Sequence, residues 1–158
     1  MNFSKSRACV VGIGSPHGND AAGGRVVEGL QALLPPSVQV LTTTEPTRLL
    51  PVLGEYWQVW IVDACRSEQQ LGTITRFVWP DERIDRRSSL SGHGIGLAEV
   101  LELAETLGSI PEETVIYTID IGLKKSEPDG GLSPEVAVAV REVRGRLVDE
   151  FVENQNLP

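Results

Sequence analysis

Apolar runs and amphipathic stretches alternate along the chain. The pattern predicts a short buried strand over 8–14 (ACVVGIG) and then a helix over 20–34, whose Val26, Val27, Leu30, Leu33 and Leu34 share one face. Pro35 and Pro36 stop that helix. Residues 38–44 (VQVLTTT) have strand composition, and 45–53 (EPTRLLPVL) read as a short helical turn with proline at an early position. The nearly continuous apolar run over 56–64 (YWQVWIVDA) predicts a central strand. A further strand is predicted over 72–79 (GTITRFVW) and a last one over 114–122 (TVIYTIDIG). The helix over 133–152 closes the pattern, with Ser133 at its N-cap and Pro134 at its first helical position.

Between the last two strands lies SSLSGHGIGLAEVLELAETLG, residues 88–108. Leu97, Val100, Leu101, Ala104 and Leu107 recur at helical spacing, Glu99, Glu102 and Glu105 take the opposite face, and Gly108 ends the helix. His93, four residues before Leu97, then hangs on the inward side of the first turn of a helix that starts this early. The positive end of the helix dipole holds such a ring neutral, the form that coordinates a metal or acts as a base. A buried or capping histidine is the plainer alternative.

Strands and helices in this order give an α/β fold, a largely parallel sheet wrapped by helices through right-handed crossovers. The 158 residues suit one domain, and no window approaches the roughly 18 apolar residues of a membrane helix. The N-terminal apolar run passes directly into glycines and reads as a strand rather than a leader, so a cytoplasmic protein with no membrane association is expected. A formal charge of -8 argues against nucleic acid as a partner, because a phosphate backbone needs a basic face. The two cysteines form no CxxC pair; Cys9 reads as core, and Cys65 follows Asp63 by two residues with no partner to make it a nucleophile.

In open sheets of this class ligands meet the loops at the carboxyl ends of the strands. The loop after the first strand, GIGSPHGNDAAGG, has the spacing Gly12-x-Gly14-x-x-x-Gly18 with Pro16 inside, which fails the dinucleotide glycine pattern. Asn19 or Asp20 could cap the following helix, and His17 is expected to face solvent. Asp63 follows four apolar residues at a strand end, where a charge must be solvated, paired or bound to a cation. Asp120 follows the same logic and has Lys124 or Lys125 as a ready partner. Asp20, Asp63 and His93 thus fall at three element ends on one rim. Two carboxylates and one imidazole suit a borderline divalent ion such as nickel or zinc, with coordination positions left open.

At these residues the sequence resembles the hydrogenase maturation proteases, endopeptidases that trim the C-terminus of the nickel-iron hydrogenase large subunit. VVGIGSPHGNDAAGGRVVE resembles the family's opening segment, WIVDA its strand ending in aspartate, SGHGIGLAEVL its histidine-bearing helix start, and GGLSPEVAVAV its closing helix. The resemblance covers nearly the whole chain. It implies a twisted, mostly parallel five-stranded sheet with helices on both faces and metal ligands at Asp20, Asp63 and His93. It also implies a single cut in the hydrogenase large-subunit precursor after nickel has been placed there, with the nickel supplied by that precursor and the protease a monomer. The sequence departs from the family at Ser15, where asparagine is usual, at Asn19, where a first aspartate is frequent, and in an opening loop one residue shorter. TTTEPTRLL also replaces the glycine-rich segment thought to help discriminate substrates. Two rival classes remain: a nickel-dependent binder or chaperone of the same fold without proteolysis, and a nucleotide-binding α/β domain, against which the failed glycine spacing and Pro16 count.

Overall fold

The computed structural model describes residues 6–84, 96–123 and 130–155. Five strands, β1 (Ser6–Ile13), β2 (Val38–Thr43), β3 (Tyr56–Cys65), β4 (Ile74–Val78) and β5 (Glu113–Asp120), form one sheet in the order β2-β1-β3-β5-β4. All neighbours run parallel except β4, which pairs antiparallel with β5 at one edge. β3 is central, as its unbroken apolar run requires. Among the described residues no helix is long and apolar enough to cross a membrane.

The two faces of the sheet are covered by different helices. α1 (Ala22–Val27) and α4 (Pro134–Gln155) bury Val26, Val27, Val136, Val143 and Leu147 against Val10, Trp60, Val62, Val115, Tyr117 and Ile119. On the other face α2 (Leu49–Leu53) and α3 (Leu97–Thr106) set Leu49, Leu53, Val100, Leu101 and Ala104 against Cys9, Val11, Val59, Ile61 and Ile116. Odd and even positions of β1 and β3 therefore feed separate cores, which is why both strands read as continuous rather than alternating.

Glycines set how closely α1 approaches the sheet. A Cβ on Gly12 would overlap the Gly23 carbonyl and the Val27 side chain, and one on Gly23 would overlap the carbonyls of Ile13 and Val62. The two bare positions let α1 lie directly across β1 and β3, and that contact fixes where the loop between them turns.

Three predicted elements differ from the fold. The single helix expected over 20–34 is interrupted: a 3-10 turn covers Gly18–Ala21, α1 ends at Val27, and a second 3-10 turn follows at Leu30–Ala32. Gly29 takes a φ of 75° at the break, and Arg144 of α4 donates to the carbonyls of Val26 (3.0 Å) and Arg25, which lose their helical partners there. Leu30 and Leu34 still point inward, so the apolar pattern runs through the break, whereas Leu33 is 56% exposed. The helix after the charged loop starts at Leu97, later than predicted. Gly96 is extended there, and its N–H donates to the Glu99 carboxylate in a capping arrangement. At the far end of α3, Leu107 is 65% exposed rather than buried. β4, expected within a largely parallel sheet, runs antiparallel because the link 66–73 is too short for a parallel crossover.

Substituting Gly23→Ala is expected to cost about 1–3 kcal/mol in chemical denaturation, because backbone carbonyls occupy the space. The neighbouring Gly24→Ala, with no atom within 4 Å of the added carbon, is expected to be neutral or to gain up to about 1 kcal/mol. Equal effects at the two positions would contradict this account of the β1–α1 contact.

Candidate functional site

β1 and β3 diverge at their carboxyl ends. Their pairing stops at Gly12 and Val62, and the chain leaves β1 toward β2 on one side and β3 toward β5 and β4 on the other. Such a switch point opens a crevice at the rim of a doubly wound sheet. Asp63 is the first residue of β3 beyond the reach of β1, and it pairs with Thr118 of β5. β3 continues past it to Cys65, one residue beyond the predicted end of the strand. By strand alternation the Asp63 side chain shares the face of Val59 and Ile61, the face covered by α2 and α3.

Asp20 reaches the same crevice from the other side, on the 3-10 turn Gly18–Ala21. The Gly14 N–H extends the sheet by donating to the Thr43 carbonyl (3.0 Å), and a Cβ on Gly14 would overlap the Asp20 carbonyl. The absent side chain at Gly14 therefore lets the turn fold back over the strand end. Asn19 Oδ1 accepts from the N–H (2.8 Å) and hydroxyl (3.3 Å) of Ser133, which clasps the turn to the start of α4. Neither Asn19 nor Asp20 caps a helix, and both the turn and α1 begin without a side-chain cap. His17 is exposed, as expected.

The Asp63 carboxyl is pushed up to about 7, first by burial and further by the charge of Asp20, against the stabilising N–H of Ala64. The two carboxylates are therefore close enough to feel one another. His93, the third residue singled out in the sequence, lies outside the described residues. Among the described residues no three His, Cys, Asp or Glu side chains gather as a metal cluster, so Asp20 and Asp63 are a pair.

Three further residues complete the rim. Asp120 is fully buried and accepts from the Gly122 N–H (2.9 Å), the Ser67 hydroxyl and the Cys65 thiol (3.9 Å). Lys124 and Lys125 lie outside the described residues. Burial, with the negative charge of Asp120 behind it, pushes the Cys65 thiol up to about 11, so it stays protonated and is no thiolate nucleophile. Arg66, which the sequence pattern did not single out, places Nη2 3.0 Å from Asp20 Oδ1 and Nη1 3.4 Å from the Gly122 carbonyl. Its only trace in the sequence is an arginine three positions after a rim aspartate. Beside the Asp20 turn, an open groove of about 730 Å³ runs between α1 and α2 over the ends of β1 and β2, lined by Gly14, Ser15, Ala21, Thr43, Thr44 and Arg48.

Residues 24–150 match the family model "Hydrogenase maturation protease". Among solved structures, the chain is similar to the hydrogenase maturating endopeptidase HybD from E. coli, at 25% identity and a TM-score of 0.78 over 94% of this chain and 93% of that one. It is similar to a hydrogenase 2 maturation peptidase from a Thaumarchaeota archaeon, at 26% identity and a TM-score of 0.61 over 91% and 97%. The [NiFe] hydrogenase maturation protease HycI from Thermococcus kodakarensis shares the fold at 22% identity, with a TM-score of 0.70 over 93% of each chain. Among curated protein sequences none matches.

A carboxyl that holds its proton to about pH 7 when folded, and releases it near pH 4 when unfolded, makes the native state bind the extra proton between those values. The contribution of Asp63 to stability is therefore full below about pH 4 and lost as pH rises through about 7. Thermal melts across this range should show a fall in the wild type that is flattened in Asp63→Asn. Parallel pH profiles for the two proteins would contradict the raised value.

Proposed function

Because the chain belongs to the hydrogenase maturation protease family, we propose that it is an endopeptidase that removes the C-terminal extension of a nickel-iron hydrogenase large-subunit precursor once nickel is in place. In this reading Asp20, Asp63 and His93 recognise that nickel. The observation that supports it best is the pair of rim carboxylates, Asp20 and Asp63, coupled through their charges at the switch point of the sheet.

Nickel arrives as part of the substrate. Two carboxylate oxygens and an imidazole nitrogen form an incomplete donor set suited to such an ion, and the precursor's own ligands fill the remaining positions. Positive charge brought to Asp63 drives off the proton that burial and Asp20 make it hold. In this reading a rim carboxylate oxygen not engaged by the nickel accepts the proton of an attacking water. No side-chain nucleophile is required, in keeping with the protonated Cys65 thiol.

Intact-mass measurement on purified precursor tests the reading. The wild-type protein should shorten nickel-loaded precursor and leave nickel-free precursor intact. Asp63→Asn and His93→Ala should each slow cleavage by at least about a hundredfold while the melting transition stays cooperative. Unimpaired cleavage by either variant would refute the assigned role, and a stable complex with loaded precursor but no loss of mass would identify a binder instead.

A further inference from the structure

Arg66 stands on a segment that the end of β5 holds in place. The Cys65 carbonyl accepts from the Ile121 N–H (2.8 Å), and the Gly72 N–H donates to the Asp120 carbonyl (2.7 Å). Between these two stitches the Ser67 hydroxyl donates to the buried Asp120 carboxylate. The guanidinium is thereby carried to the crevice by the β3–β5 side of the sheet and meets Asp20, 46 residues earlier, on the β1 side. Its side chain is 21% exposed against 43% for Asp20, so the arginine is the more enclosed partner and the carboxylate the more accessible one. One nitrogen holds Asp20 Oδ1 and another the Gly122 carbonyl, a two-point grip that a lysine ammonium cannot reproduce in the same geometry.

We propose that Arg66 is a positioning residue that holds Asp20 by its Oδ1 and competes with divalent cations for it, so that the free protein binds such ions weakly and only a cation fixed in a substrate displaces the guanidinium. The proposal rests on the reading of Asp20 and Asp63 as cation-recognising ligands. Two effects add. A cation must break the ion pair to use that oxygen, and the guanidinium charge left at the rim repels it. The consequence is selectivity: a free metal ion brings only its own charge against the latch, whereas a docked substrate adds the rest of its binding energy.

Calorimetric titration with nickel chloride on the whole protein tests this without any cleavage assay. Arg66→Gln should bind nickel roughly tenfold or more tightly than the wild type, and Arg66→Lys, which keeps the charge, should fall between them. An arginine with a merely structural role would, on removal, leave affinity unchanged or lower it. Equal or weaker binding by a folded Arg66→Gln overturns the proposal, as does a failure of that variant to bind nickel at all. If Arg66→Gln does not fold, the wild type decides: zinc should shift the Arg66 Nε–H resonance in nitrogen-resolved spectra, and a resonance unmoved at saturating zinc overturns the latch. Should Asp63→Asn abolish nickel binding while Arg66→Gln matches the wild type, the latch falls and the ligand reading stands. A wild type that leaves nickel-loaded precursor uncut defeats the proposed function independently.

Discussion

Two acids, one partly buried and one more open to water, each within reach of the other's charge, form the constraint on which the rest of the site depends. A sheet edge alone does not create it. β1 and β3 must part beyond Gly12 and Val62, α1 must lie close enough for the turn at Gly18–Ala21 to swing back over the strand end, and Asp63 must stay partly buried at the end of β3. Gly12, Gly14 and Gly23 matter for this geometry rather than for binding phosphate, since each leaves room for a backbone carbonyl from another segment. Adjacent acids are unfavourable unless protonated, paired or bridged by a cation, and the rim shows two of these answers: Asp63 holds a proton to about pH 7, and Asp20 pairs with Arg66.

Much of this was legible in the chain. Apolar runs with no alternation announced buried strands, and the central place of β3 followed from its length and composition. Asp63 was visible because a charge directly after four apolar residues needs a physical reason. Other features were hidden for equally physical causes. The apolar period continues through Gly29, so periodicity could not reveal that α1 stops at Val27. The late start of α3 was foreshadowed by Glu99 three residues after Gly96, a capping signal that the glycines around His93 obscured. The pairing of Arg66 with Asp20 depends on the meeting of two strand ends, which no local pattern encodes.

Asp120 illustrates how a buried charge can serve the fold rather than the chemistry. With an amide, a hydroxyl and a thiol directed at it, the carboxylate fastens the segment after β3 to the end of β5. That fastening keeps Arg66 at the crevice, so a residue outside the Asp20–Asp63 pair still shapes its electrostatics. The same carboxylate helps keep the Cys65 thiol protonated, which leaves the acids as the reactive groups of the described rim.

The claim that these two acids form one coupled site is tested most directly by following the carboxyl carbons of Asp20 and Asp63 by carbon-13 resonance through a pH titration, in the wild type and in Asp20→Asn. The account predicts a midpoint for Asp63 at about 7 that falls when Asp20 loses its charge, yet stays above the ordinary carboxylate range because burial is the larger cause. An Asp63 that titrates near 4 in both proteins would contradict it.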